Sequence, residues 1–204
     1  MENYYTTLAL LNLFLPLSSF LILILFGKKI GSSAHWLALP LIGAMLCTSL
    51  IFFSKIFINI EEPILEISIR WFSTGQFSVN LGFLINNEAA IMLFVVSLIS
   101  FLVHLYSVGY MEGDPRYSRY FAYLGIFTFS MNGIVLADSL IMMYIFWELV
   151  GLSSYLLIGF WFEKNSAADA CKKAFLTNRV GDIGMFIGIM ILFFSIGTFQ
   201  IDGL

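Results

Sequence analysis

Charge is what this sequence has least of. Of its 204 residues only 11% are Asp, Glu, Lys or Arg, while 60% are hydrophobic. A soluble domain carries about 25% charged residues, so a water-facing surface around a core of this length cannot be built from these side chains. The net charge of −3 excludes the basic surface that nucleic-acid binding needs. The two cysteines, Cys47 and Cys171, give neither a disulfide framework nor a metal-ligand spacing. Four prolines and sixteen glycines are too few for a low-complexity or disordered chain. Also missing are a Gly-rich phosphate loop, a Ser/His/Asp arrangement and a cysteine cluster, and with them any signature of a nucleotide, haem or iron–sulfur site. No cleavable leader is expected: the first apolar run has no basic stretch before it and no small-residue cleavage site.

What the chain does have is long apolar runs. A membrane-spanning helix needs roughly 20 mainly apolar residues. Six stretches qualify: Leu8–Phe26, Trp36–Phe53, Ala89–Tyr110, Tyr120–Ala137, Leu140–Phe162 and Ala174–Ile196. The expected class is therefore an all-α polytopic membrane protein. Helices four and five are joined only by Asp138-Ser139, which predicts an antiparallel hairpin of helices. With the N-terminus outside, Lys28, Lys29, Arg116, Arg119, Lys164, Lys172 and Lys173 fall on the cytoplasmic side, against Lys55 and Arg70 opposite. That bias follows the positive-inside rule.

Between helices two and three the period changes to two. Leu65, Ile67, Ile69 and Trp71 alternate with Glu66, Ser68 and Arg70, and after Ser73-Thr74-Gly75-Gln76 the alternation resumes with Phe77, Val79, Leu81 and Phe83. This predicts a β-hairpin over about residues 64–85. It belongs on the outer surface with its apolar face on the helix ends, because lipid would leave its edges unpaired. The last residues read as the start of a further connection.

Against this apolar background a few ionisable residues stand out. Glu148 lies eight residues into helix five, roughly 12 Å from its outer end. An acid near the bilayer centre costs at least ~2.5 kcal/mol and marks a functional position by default; a protonated packing residue is the plainer alternative. Asp182 is eight residues inside the expected start of helix six, which runs the other way, so the two acids sit within about one turn in depth. Arg179 and Asp182 are three apart on one face and invite reading as a self-neutralising ion pair. Lys172 reads as a snorkelling lysine. Lys173 is either the same or turned inward to act electrostatically on Glu148 or Asp182. His104, about two turns inside helix three, has a side chain suited to proton exchange, or is simply packed. Gly184 and Gly188 form a small-xxx-small face for close helix contact.

Three stretches carry a resemblance. Tyr144 to Phe160 reads YIFWELVGLSSYLLIGF, Ala174 to Gly184 reads AFLTNRVGDIG, and His104 to Ala122 reads HLYSVGYMEGDPRYSRYFA. Together they resemble the large antiporter-like subunit of NADH–quinone oxidoreductase (respiratory complex I), subunit L or chain 5, over its N-terminal part. The resemblance implies the start of an inverted-repeat antiporter-like fold, with residues 1–119 holding helices one to three and the hairpin, and 120–204 opening the first repeat. It implies a proton-translocating membrane-arm subunit with no redox chemistry of its own. NADH, FMN, iron–sulfur clusters and quinone would belong to partner subunits, and no metal to this chain. The family's helix-five glutamate falls on Glu148, its helix-six lysine, arginine and aspartate on Lys173, Arg179 and Asp182, and its helix-three histidine on His104. The expected partners are the other membrane-arm subunits and the lipid bilayer, with no nucleic acid, and the expected location is a bacterial inner membrane rather than a mitochondrial one. Two departures accompany this. The family's helix-seven lysine and second repeat are absent from these residues, which suggests part of a longer subunit, and the acid often found before helix three is replaced by Asn86-Asn87-Glu88. Two other functions compete: a multisubunit cation/proton antiporter, whose large subunits share these motifs, and a scaffold whose charges only neutralise one another.

Overall fold

The computed structural model describes residues 2–56, 65–74 and 77–201. Six helices and one hairpin follow one another: α1 (Glu2–Ile30), α2 (Ala34–Ile56), β1 (Leu65–Thr74), β2 (Phe77–Ile85), α3 (Asn87–Tyr110), α4 (Tyr117–Leu136), α5 (Leu140–Ile158) and α6 (Asn165–Ile196). Tyr4–Ser54, Asn87–Tyr110, Leu140–Ile158 and Asn165–Ile196 are long and apolar enough to cross a membrane. α4 falls short of that apolarity because it carries Ser118, Thr128, Ser130 and Asn132, all of them buried. Its neighbours explain this: α4 packs on α1, α2, α3 and α5, so its polar residues face protein and not lipid.

The α1–α4 bundle is layered. Leu8, Leu13, Phe52, Ile85, Leu93 and Leu136 form an apolar cluster at the hairpin end. Leu23, Ala34, Met111, Phe121 and Phe160 form a second at the other end. A polar lock lies between them, and a proline makes room for it. Pro16 sits inside α1 and has no N–H to donate to the carbonyl of Asn12 one turn before it. Asn132 Nδ2 donates to that carbonyl instead, at 3.1 Å, and to Asn12 Oδ1 at 2.9 Å. Asn12 Nδ2 in turn donates to Thr48 Oγ1 at 3.0 Å. One amide pair thus joins α1, α2 and α4.

Close backbone approach occurs where the chain has glycine on α4. A Cβ at Gly125 would meet the Pro16 carbonyl oxygen at 3.0 Å, and one at Gly133 would overlap the Phe146 ring. By contrast, Gly184 and Gly188 meet nothing within 4 Å. Their expected small-residue contact is not made among the described residues, because that side of α6 is open.

The hairpin forms as an antiparallel pair with Thr74 opposite Phe77; the expected turn residues Gly75 and Gln76 lie outside the described residues. The register slips between Arg70 and Phe72. This bulge overturns one expectation: Trp71, placed by strict alternation on the packed face, is 64% exposed, and Phe72 beside it is 53% exposed. One extra residue in a strand shifts every later side chain. The root of the hairpin does pack as expected, with Ile67 and Phe83 against the Ile85 cluster and Phe83 bridged to Ala137.

Helix boundaries agree with the apolar runs to within about four residues except at α1, which begins at Glu2 and not at Leu8, and at α6, which begins at Asn165 and not at Ala174. Apolarity marks where lipid begins, not where helical hydrogen bonding begins, and the two extra turns are polar. Depth counted from the helix start therefore misleads here, and contacts across to α5 fix the level of each residue instead.

Candidate functional site

α5 and α6 are antiparallel and zipped by a regular series of contacts. Nearest the α5–α6 turn, Gly159 lies against Cys171, where a Cβ would come within 2.9 Å of Sγ. Tyr155 meets Phe175 edge-on at 5.5 Å. Next come Glu148 with Arg179 and Trp147 with Asp182. Last, Tyr144 lies 5.5 Å from Phe186. The charges are thus flanked by aromatic pairs along the seam.

At the centre, Arg179 Nη1 donates to both carboxylate oxygens of Glu148, at 2.6 and 2.8 Å. Tyr144, one turn before Glu148 on the same face, donates its hydroxyl to Oε1 at 2.8 Å. Phe175, one turn before Arg179, lies under the guanidinium at 5.1 Å and holds it through a cation–π contact. The pair is open to one side: the Glu148 side chain is 24% exposed and that of Arg179 44%. Asp182 is buried, and Trp147 donates its indole N–H to it at 3.1 Å.

Arg179 pairs across the helices with Glu148 and not along α6 with Asp182. The two acids do share a level, since they bind consecutive turns of the same seam. Lys173 is exposed and makes no ion pair among the described residues; it lies six residues, or roughly 9 Å, along α6 from Arg179. Lys172 is paired with Asp169 at 3.8 Å at the surface. His104 is elsewhere: fully buried in the α1–α4 bundle, its Nδ1 lies 2.8 Å from the Ser100 carbonyl and its ring 5.9 Å from Phe121. It shares no hydrogen bond with Glu148, Arg179 or Asp182. Tyr144 and Trp147 are the residues that spacing alone did not single out. The four-residue step from Tyr144 to Glu148 was a usable signal; the Trp147–Asp182 contact was not readable without the packing.

Outside the helices, the residues at the end opposite the hairpin hold their own ion pair. Arg116 binds Glu163 at 2.8 and 3.1 Å. The Glu163 carboxyl lies below its ordinary range because of a hydrogen bond from its own backbone and then the Arg116 guanidinium. A cleft of about 910 Å³ opens nearby between the ends of α1, α3 and α4, beside Lys28, His35 and Arg119. None of the five expected site residues lines it. Among the described residues no three His, Cys, Asp or Glu side chains gather as metal ligands.

Two family models match the chain. One, described as NADH-ubiquinone oxidoreductase (complex I), chain 5 N-terminus, matches residues 71–121. The other, described as NADH:quinone oxidoreductase/Mrp antiporter, TM, matches residues 137–204 and so contains the whole α5–α6 seam. The chain belongs to the chain-5 family of NADH–quinone oxidoreductases. Chain 5 of the NAD(P)H-quinone oxidoreductase of Synechocystis sp. is 50% identical over 132 residues, which are 65% of this chain and 19% of that protein. The chloroplastic subunit 5 of Chlorokybus atmophyticus is 52% identical over 132 residues, 65% of this chain and 20% of the relative. The chain thus spans about a fifth of the length of these relatives, in their N-terminal part as far as the family models place it. An archaeal membrane-bound sulfane sulfur reductase contains a chain that superposes with a TM-score of 0.77 at 19% identity, over 94% of this chain and 38% of that one. That likeness shows a shared antiporter-like fold.

Proposed function

We propose that this chain forms the opening part of a proton-translocating membrane-arm subunit of NADH–quinone oxidoreductase, with Glu148 as its proton-carrying acid. The observation that carries this reading is the Glu148–Arg179 pair, set mid-way along the α5–α6 seam and open on one side. A carboxylate held by one guanidinium and one phenol is balanced between its charged and protonated forms, because burial favours the proton and the neighbouring cation opposes it. Arg179 supplies the counter-charge and Tyr144 the hydrogen bond. Asp182, one turn along, and Lys173 are the neighbouring charges that act on the pair, and His104 serves a path to the cytoplasmic side. α4–α6, in residues 120–204, open the first antiporter-like repeat, and residues 1–119 brace it. Quinone reduction, with NADH, FMN and iron–sulfur clusters, takes place in partner subunits, and this chain carries no redox group. The cyanobacterial relative supports a bacterial membrane as its location, and the chloroplastic one supports a plastid membrane in a plastid-bearing host.

The test is Glu148→Gln in the full-length subunit, with proton pumping measured in sealed vesicles. Pumping falls at least about tenfold while the assembled complex is recovered in normal yield. Wild-type pumping with normal assembly overturns the reading.

A second reading is favoured by the description of the family model over residues 137–204, which also names the Mrp antiporter. In it the same seam serves cation/proton exchange without quinone chemistry. Sodium-dependent exchange in a preparation free of flavin and iron–sulfur subunits supports that reading; co-purification with those subunits supports the first.

A further inference from the structure

The cleft of about 910 Å³ between the ends of α1, α3 and α4 is separate from the Glu148 seam, and this chain ties its walls together. The Ser118 hydroxyl donates to the Gly31 carbonyl at 2.6 Å, and the Tyr117 hydroxyl lies 3.0 Å from His35 Nδ1. Across from them, Asp114 accepts from the Arg116 backbone N–H at 2.8 Å and from the Trp161 indole at 3.0 Å. The cleft is therefore preformed and of the size of a ligand site. Two of its charged lining residues are already committed, Asp114 to those donors and Arg116 to Glu163. Lys28, Arg119 and Glu112 also line it. All three are exposed, and their side chains make no ion pair among the described residues. A close contact brings the two free cations to one place: a Cβ at Gly27 would lie 3.0 Å from Ser118 Cβ, and Lys28 and Arg119 are the next residues along each helix. α4 begins here at Tyr117 with no side-chain cap, which adds the positive end of its dipole.

The rest of the lining and its level decide what these cations hold. Ile24 lies one turn before Lys28 on α1, roughly 6 Å deeper along the helix, and with Leu23 and Val108 it gives the cleft an apolar wall. Trp36, Tyr106 and Tyr110, at the same ends of α2 and α3, are 76%, 70% and 54% exposed. Exposed Trp and Tyr beside Lys and Arg mark the headgroup layer of a bilayer, and basic pockets between helix ends at that level bind lipid headgroups. A free anion needs charge alone. A lipid needs charge at the headgroup level and an apolar wall one turn deeper, and the cleft has that order. We propose that this cleft binds a membrane phospholipid, its phosphate held by Lys28 and Arg119 and the start of an acyl chain lying on Ile24 and Val108. The uncommitted acid Glu112 suits a headgroup that ends in a hydrogen-bond donor. The lipid would fill the space between α1 and the α3–α4 connection.

The experiment uses the full-length subunit with its partners, held in nanodiscs of phosphatidylglycerol. A density map that resolves lipids elsewhere on the complex is expected to show a phosphate peak about 2.7–3.2 Å from Lys28 Nζ or the Arg119 guanidinium, continuous with chain density along Ile24. The double variant Lys28→Gln/Arg119→Gln loses that density and keeps the lipids elsewhere. An empty wild-type cleft overturns the proposal whether or not the variant assembles, and so does a cleft filled by a partner or by further residues of the subunit. Density that persists in the double variant overturns it as well. A compact peak without a chain, reproduced when the delipidated complex in detergent is given inorganic phosphate alone, assigns the cleft to a free anion and overturns the lipid.

Discussion

Asn12, Asn132 and Thr48 in the α1–α4 bundle are 0%, 0% and 8% exposed, whereas the side chains of Glu148 and Arg179 between α5 and α6 are 24% and 44% exposed. Both groups sit within the helices, and they differ in charge as well as in burial. An amide is satisfied by other amides and carbonyls, so it can be sealed inside a bundle and used as a lock. A charge must have a counter-charge, because its desolvation can cost more than pairing returns. One region of the chain therefore buries its polar groups among its own helices, and the other holds a charged pair that this chain covers only in part.

The comparison is tested most strongly by Arg179→Met. If the α5–α6 pair serves transport, proton pumping falls about tenfold, equivalent to ~1.4 kcal/mol on the barrier, while the subunit loses only about 1 kcal/mol of stability or less, as half-exposed pairs do. Pumping in vesicles and thermal melting of the purified complex read the two effects separately. A large loss of stability with unchanged pumping per assembled subunit would reverse the roles assigned to the two regions. Asn12→Leu should behave the opposite way. It leaves Asn132 Nδ2 short of a partner inside a closed bundle and costs roughly 1–2 kcal/mol, seen as a lower melting temperature, with pumping per assembled subunit unchanged. Tyr144→Phe is smaller. It removes one hydrogen bond from Glu148 without touching the ion pair, and pumping slows by roughly two- to fivefold at constant stability.

Much of this contrast was legible in the order of residues. The six helices followed from apolar runs, and the hairpin from a change of period to two. Glu148 and Asp182 stood out as acids in an apolar setting. What was not legible depended on rotation about helix axes. Arg179 and Asp182 are close in sequence and share a face of α6, yet Arg179 reaches across to Glu148. The seam register decides this, and it is set by contacts such as Tyr155–Phe175 and Tyr144–Phe186. The polar start of α6 was missed because hydropathy tracks lipid, not helix. Trp71 was misplaced because a bulge changes facing without leaving a mark in the alternation. The Asn12–Asn132 lock was out of reach for another reason: its partners are 120 residues apart, and the clue was a proline that frees a carbonyl.

Asp138 lies between the two regions and sharpens the contrast with the smallest expected effect. It occupies the link from α4 to α5, where the Ile201 N–H donates to its carbonyl at 3.0 Å and its side chain is buried. Burial pushes its carboxyl above the ordinary value, opposed by the Gly82 N–H and the Ser139 and Ser68 hydroxyls, none of which is aligned as a full hydrogen bond. It is thus an acid enclosed like the amides, with no cation beside it among the described residues. The folded state then binds the proton more tightly than the unfolded chain does. Stability falls as pH rises through the folded value, and the gain on acidification is complete below the unfolded value of 3.8. Asp138→Asn removes the charge and keeps the shape. It should leave stability unchanged or raise it by less than about 1 kcal/mol near pH 7 and flatten this part of the pH dependence. Melting curves of the wild type and variant across the acidic range read both. A marked loss of stability in the variant at neutral pH would mean that the link depends on the carboxylate itself and on the donors around it.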